Sequence, residues 1–269
     1  MATPIGNLGD VTQRALETLR GADIVAAEDT RNTRALLAHF GIGAKLVALH
    51  EHNERAAAAR VCAWIGEGKA VALVSDAGTP GVSDPGAAVV EAVRGAGFAV
   101  VPLPGASALT TALSASGLQF DGVVFAGFLP THGAARRERL AALAAGPWAI
   151  ALFEAPHRVV QTVRDLHDVF GDRDVVIARE LTKRFESIAR MPLDEAGAWL
   201  EADDDRRRGE FVLLVEGRPV EAKPAVDPQA VLEALLAELP LKQAVALATK
   251  ITGGKRNELY ALALKLKEN

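Results

Sequence analysis

Between Asp23 and Val215 short continuous apolar runs alternate with longer stretches in which apolar positions recur every three or four residues. The short runs are Asp23 to Ala27, Lys45 to Leu49, Val71 to Val74, Phe98 to Leu103, Val123 to Gly127, Trp148 to Phe153, Asp174 to Ala178 and Phe211 to Val215. Runs of this length without polar alternation predict strands buried on both faces. The periodic stretches between them predict helices, for example Thr30 to Phe40, Asn53 to Ile65, Ala134 to Ala144 and Val159 to Phe170. Asp10 with Gln13 offers a capping box for a helix through Leu19, and Asp84-Pro85 offers a cap and first turn for the apolar run from Ala87 to Val93. Met1 to Thr3 is short for a strand, so the first strand is expected to be cut short. Glu186 to Arg190 reads as a hairpin partner and Leu193 to Leu200 as a further helix.

Strand and helix in alternation predict an α/β protein with mostly parallel sheets covered on both faces. A change of composition at Gly117 to Gly122 divides it into an N-terminal α/β domain, residues 1–117, and a C-terminal α/β domain, residues 118–218. The proline-rich stretch Arg218 to Pro228 predicts a linker at residues 219–228. A small helical bundle of helix-turn-helix type is expected at 229–269, with Asp227-Pro228 opening its first helix and Gly253-Gly254 turning before its last.

Composition fills in this picture. The chain is 49% hydrophobic but only 5% aromatic, so its cores must be built from Ala, Val and Leu. From Leu241 onward six basic residues face two glutamates, a local charge of +4 within a whole-chain charge of −4, so the remainder carries −8. The tail therefore hints at nucleic acid, with a solvated packing or dimerisation face as the competing account. The single Cys62 excludes an internal disulfide. With no apolar run of membrane-spanning length and no basic-then-apolar leader after Met1, no membrane partner and a cytoplasmic protein are expected.

Candidate chemistry gathers where the predicted strands end. VALVSDAGTPGVSDPG, Val71 to Gly86, runs from a buried strand into a loop with three glycines and two prolines and then into a helix, a backbone able to approach a small ligand closely. Pro4 to Asn7, Pro104 to Ser107, Glu154 to Arg158 and Glu180 to Lys183 occupy equivalent places after other strands. The chain contains no GxxxxGK[ST], no GxGxxG and no GxSxG, which argues against a Walker phosphate loop, a dinucleotide fingerprint and an α/β-hydrolase. In His50-Glu51-His52 strand alternation would put the glutamate opposite the histidines, and Asp76 and Asp84 suit capping better than Mg²⁺, so no metal is expected. These residues imply a neutral, glycine-lined pocket for an uncharged or zwitterionic ligand.

TPIGNLGD (Thr3 to Asp10), EDTR (Glu28 to Arg31), HEHNE (His50 to Glu54), VSDAGTPGVSDPG (Val74 to Gly86), PGASA (Pro104 to Ala108), GFLP (Gly127 to Pro130), FEAPHR (Phe153 to Arg158) and RELTK (Arg179 to Lys183) together resemble one family. It is the ribosomal RNA small subunit methyltransferase I family of the tetrapyrrole-methylase superfamily. The resemblance runs in order over nearly the whole chain, departing at Met1, which stands where the family carries several apolar residues. It implies S-adenosyl-L-methionine bound in a cleft between two α/β domains, and a homodimer. It also implies methyl transfer to the ribose 2′-oxygen of a cytidine in the decoding region of 16S rRNA, with the small ribosomal subunit as partner.

Carried over by motif, the cofactor would meet Pro4, Ile5, Asp76, Gly78, Thr79, Val82, Ser83, Ala106, Ser107, Leu152 and Phe153. A ribose hydroxyl is a weak nucleophile, so a base is expected, with Glu154, His157, Glu180 and Lys183 as candidates. Arg31, Arg136, Arg137, Arg139 and Arg158, with Lys255 and Arg256 in the tail, are candidate phosphate contacts. A tetrapyrrole or protein methylase of the same superfamily, or a non-catalytic RNA-binding protein, are the alternatives. The basic tail and EDTR argue against the former.

Overall fold

The computed structural model describes residues 1–50, 54–218 and 227–268. The chain divides after Arg218 into two compact units.

The first unit opens with α1 (Gln13–Gly21), β1 (Ile24–Ala27), α2 (Thr30–His39), β2 (Leu46–Ala48), α3 (Glu54–Gly66), β3 (Val71–Val74), α4 (Ala87–Gly95) and α5 (Ala108–Ala115). Its three strands form a parallel sheet in the order β2-β1-β3. The cap of α1 is Thr12, whose hydroxyl accepts from the Ala15 amide, while Asp10 lies in a preceding 3-10 turn. Asp10 is therefore not the cap its spacing suggests.

Phe98 to Leu103 belongs to no strand, contrary to expectation. The physical reason lies beside it. The Met1 ammonium donates to the Leu73 carbonyl at 2.8 Å, and the Ala2 amide reaches the Leu103 carbonyl at a long 3.4 Å. Met1 to Thr3 lie between β3 and this segment and, among the described residues, reach it through that one long amide bond, so no ladder forms. Thr3 instead makes an antiparallel bridge to Gly78, exchanging amide bonds of 2.9 and 3.0 Å, which ties the first residues to the glycine loop.

The unit continues with β4 (Val123–Phe128), α6 (Gly133–Ala144), β5 (Ala149–Glu154), α7 (Val159–Phe170), β6 (Asp174–Arg179), β7 (Ser187–Pro192), α8 (Leu193–Glu201) and β8 (Phe211–Val215). These five strands are ordered β4-β5-β8-β6-β7. Only β4 and β5 are parallel, because β8 returns between β5 and β6 antiparallel to both, and β7 folds back on β6. The mostly parallel expectation fails here because strand direction depends on long-range pairing, which local periodicity does not encode.

Side-chain alternation explains why the central strands are apolar throughout. Ile150, Leu152, Val175, Ile177, Leu213 and Val215 face one core with residues of α6, α7 and α8. Ala151, Val176, Ala178, Val212 and Leu214 face the other, which receives Ala112 of α5, Leu118 and Ile5. Each strand thus buries both faces, and the second brings the N-terminal loop and α5 onto the sheet.

The second unit contains α9 (Pro228–Glu238), α10 (Leu241–Thr252) and α11 (Arg256–Glu268). Asp227 caps α9 by accepting from the Gln229 amide, and Gly253 ends α10 at φ +71°. Leu232, Val245, Ala248, Leu259 and Ala263 form its core. No described helix of either unit is long and apolar enough to cross a membrane.

Candidate active site

A cavity of about 300 Å³ lies within the first unit at the strand ends. The loop after β3 lines it with Gly78, Thr79, Val82, Ser83 and Asp84, and Ser107 lines it at the start of α5. Phe128, Phe153 and Leu181 enter from the ends of β4, β5 and β6, while Glu210, Phe211 and Val212 enter from the start of β8. Its acidic residues are Asp84, Glu154 and Glu210, and no lysine, arginine or histidine lines it among the described residues.

The loop conformation depends on left-handed backbone. Gly78 sits at φ +77°, and a Cβ there would stand 3.4 Å from the Ile5 Cγ2, so glycine lets the loop close over the N-terminal segment. Ser83 holds φ +64° against its ordinary preference, and its Oγ lies where a Cβ on Gly127, itself at φ +62°, would come within 2.9 Å. The loop after β3 therefore meets the end of β4 closely. Thr79 donates to the Ala106 carbonyl at 3.4 Å, linking the same loop to the start of α5.

Several expected residues converge here: Ile5, Gly78, Thr79, Val82, Ser83, Ser107 and Phe153 line the cavity. Pro4 and Ala106 adjoin lining residues without lining it, and the Asp76 carboxylate accepts from the Asp29 amide and Asn32, both at 2.9 Å. Leu152 is corrected. Strand alternation turns its side chain, fully buried, into the core on the opposite face from Phe153.

The expected proton acceptors divide differently. Glu154 lines the cavity, but its buried carboxylate accepts from the Ala155 amide at 2.8 Å and the Thr162 hydroxyl at 2.6 Å, and pairs with Arg158 at 3.1 Å. It is a structural anchor for the β5-to-α7 turn and is corrected as a base. Glu180 accepts from Lys183 and the Glu210 amide, each at 2.9 Å, and Lys183 also reaches Glu210 at 2.8 Å. Burial opposes the charge of Glu180, but these donors hold its carboxyl below the usual range; burial likewise opposes the Lys183 charge, but the two carboxylates hold its ammonium above its usual value. An ammonium held charged is a poor base, so Lys183 too is corrected. His157 is exposed, in the turn before α7.

Among the proposed phosphate contacts, Arg136 and Arg158 are corrected. Arg136 is 5% exposed and its Nε pairs at 2.5 Å with Asp165, itself 1% exposed. Arg158 is committed to Glu154 and to the Leu129 carbonyl at 2.6 Å. Arg137 is exposed, with a longer 3.5 Å contact to Asp165, and Arg139, Lys255 and Arg256 are exposed. Arg31 is exposed and paired with Asp29 at 2.6 Å; hydrogen bonding from Arg31 depresses the Asp29 carboxyl to about 2. Glu51 to Asn53 of the HEHNE motif lie outside the described residues. Among the described residues no cluster of His, Cys, Asp or Glu could hold a metal.

Two contributions to the cavity escape sequence reasoning. Phe211 and Val212 belong to β8, with Glu210 just before it, and the insertion of that strand between β5 and β6 has no local signal. Asp84 reads as the cap of α4, yet the helix begins at Ala87 with Gly86 before it and no side-chain cap at that position. Glu54 of α3 serves those amides, accepting from Gly86 at 2.7 Å and Ala88 at 2.9 Å.

Known proteins resemble this chain over most of its length. Residues 2–197 match the family described as Tetrapyrrole (Corrin/Porphyrin) Methylases, and residues 222–267 match the RsmI C-terminal HTH domain. The chain is 51% identical over 266 residues to Ribosomal RNA small subunit methyltransferase I of Escherichia coli O157:H7, covering 98% of this chain and 93% of that one. It is 49% identical over 269 residues to the protein of the same name from Pseudomonas aeruginosa, covering 98% and 95%. Among solved structures, the methyltransferase CobJ superposes with a TM-score of 0.58 at 21% identity, covering 79% of this chain and 90% of that one. Diphthine synthase gives 0.58 at 17% identity, covering 79% and 87%. These distant structures share the fold, whereas the near-full-length identity to the first two proteins is decisive: the chain belongs to the ribosomal RNA small subunit methyltransferase I family.

Proposed function

We propose that this protein transfers a methyl group from S-adenosyl-L-methionine to the ribose 2′-oxygen of a cytidine in the decoding region of 16S rRNA. The small ribosomal subunit is the substrate particle, and the enzyme acts as a homodimer. The observation that carries the reading is the cavity: apolar walls, acidic side chains and, among the described residues, no basic one in its lining. A sulfonium carrying an ammonium group gains from such surroundings, whereas a nucleotide phosphate is repelled. Its size falls at the lower end of small-molecule sites.

Gly78, Thr79, Val82 and Ser83 would hold this group from the loop after β3, with Ile5, Ser107 and Phe153 opposite. When bound, it supplies an activated methyl on a positively charged sulfur that leaves as a neutral thioether. The protein's own part is orientation. Phe128 and Phe153 meet edge to face with ring centres 5.8 Å apart, and Phe128 is 55% exposed, an apolar surface for a nucleotide entering the cavity. The target nucleotide must leave its stack to reach this depth. Arg31, Arg137, Lys255 and Arg256 are proposed to contact phosphates. Exposed Ile188 on the edge strand β7 and Phe185 just before it support an apolar contact between copies.

The test is mapping 16S rRNA ribose methylation in cells with and without the gene, then restoring it in vitro with purified enzyme, labelled donor and small subunits. Loss and recovery at one cytidine is expected. No change at any cytidine, or transfer to porphyrin precursors instead, overturns the proposal.

A further inference from the structure

Asp84 faces the cavity from the end of the glycine loop. Its expected capping role is taken by Glu54, and no hydrogen bond or ion pair engages its carboxylate among the described residues. The other acidic groups of the cavity are engaged: Glu154 by Arg158, Thr162 and the Ala155 amide, and Glu210 by Lys183. The charged groups acting on Asp84 are carboxylates, Glu28 at the end of β1 and Asp76 after β3. Glu54 stands behind the loop and Glu210 lines the same cavity. Arg31, which follows Glu28 on the start of α2, is bonded to Asp29.

Resting on the reading that a ribose hydroxyl is methylated here, we propose that Asp84 is the proton acceptor for that hydroxyl. One Asp84 oxygen takes the proton while the hydroxyl oxygen uses a lone pair to form the new O–C bond. The donor contributes the methyl carbon, and its sulfur keeps the electron pair of the breaking C–S bond, so its positive charge is discharged. The proton then passes from Asp84 to solvent, which balances the reaction as one methyl ether, one thioether and one proton. Burial, then Glu28 and Asp76, raise the Asp84 carboxyl to about 6. At neutral pH it is ionised yet more basic than an ordinary aspartate, as a general base requires.

The experiment uses the full chain, its Asp84→Asn variant, labelled donor and small ribosomal subunits. A positioned base contributes about 10² to 10⁴ in rate. The expected result is a fall of at least about 100-fold in kcat, with donor affinity measured by calorimetry changed less than about threefold. Wild-type kcat/KM, which reports the ligand-free enzyme, should fall as pH drops through about 6, a limb absent from the residual activity of the variant. Independently of activity, carbon-13 carboxyl titration of the protein alone should show a midpoint near 6 that disappears in the variant. If Asp84→Asn retains more than a third of kcat, or abolishes donor binding and so marks an ammonium anchor, the proposal is overturned. A misfolded variant leaves the wild-type titration and pH profile as the test, and an Asp84 midpoint near 4 overturns it. Wild-type enzyme that methylates no ribose refutes the underlying reading, whereas active wild type with active Asp84→Asn refutes this inference alone.

Discussion

Replacing Arg136 with methionine separates a buried structural ion pair from a phosphate contact. Arg136 and Asp165 are both almost entirely buried and meet at 2.5 Å, with Gln161 donating to the other Asp165 oxygen at 3.2 Å. Removing the guanidinium strands a buried carboxylate with Gln161 and a long contact to Arg137, and such losses cost about 3 to 5 kcal/mol. For a unit of this size each kcal/mol moves Tm by about 2 to 4 °C, so Arg136→Met should lower the melting temperature by about 6 to 20 °C. Arg137→Met removes only an exposed partner and should move it by less than about 4 °C. The double variant Arg136→Met with Asp165→Leu should recover most of the loss, because an apolar pair of similar volume replaces both charges. Calorimetric melts of the three variants, with RNA titrations of the folded forms, give the answer. If Arg136→Met melts with the wild type while RNA binding weakens, Arg136 is a phosphate contact and the burial reasoning is wrong.

Gly78→Ala forces a methyl into left-handed backbone beside Ile5, at a cost of about 1 to 2 kcal/mol, and should weaken donor binding by calorimetry about 5- to 30-fold; unchanged affinity would remove the loop from the site. An acid whose folded-state value is raised destabilises the fold once ionised, so the cost of Asp84 is absent below about 4, develops towards 6 and is full above it. Asp84→Asn should therefore melt higher than wild type at pH 7.5 and match it near pH 4, while equal melting at both values would show that Asp84 is not strained. Lys255→Ala with Arg256→Ala should reduce the salt slope of RNA binding by about 1.4, at about 0.7 per phosphate on single strands; an unchanged slope would remove α11 from the RNA interface.

Much of the architecture was legible in the chain because its causes are local. Apolar runs between glycine and proline stops located every strand of both sheets except β7, which read as a hairpin partner, and placed an extra one at Phe98 to Leu103, while Asp227-Pro228 and Gly253 marked the helices of the second unit. The glycine loop pointed to a cavity through backbone that only small residues adopt comfortably, and the ordered motifs carried the family. Pairing was not legible. That β8 returns between β5 and β6, delivering Glu210 to Val212 to the cavity, depends on pairings between residues about sixty apart in the chain for β5 and about 30 to 40 apart for β6. Nor was partner choice among charges, because sequence shows which residues can ionise but not what they touch. Burial turned Arg136, Glu154 and Arg158 from candidate chemistry into scaffold. A glutamate on α3 satisfied the amides that Asp84 seemed meant to cap, leaving that carboxylate facing the cavity. Local periodicity and composition determined the elements and the loop; only the tertiary structure, by deciding which polar groups satisfy one another, determined which remain available for chemistry.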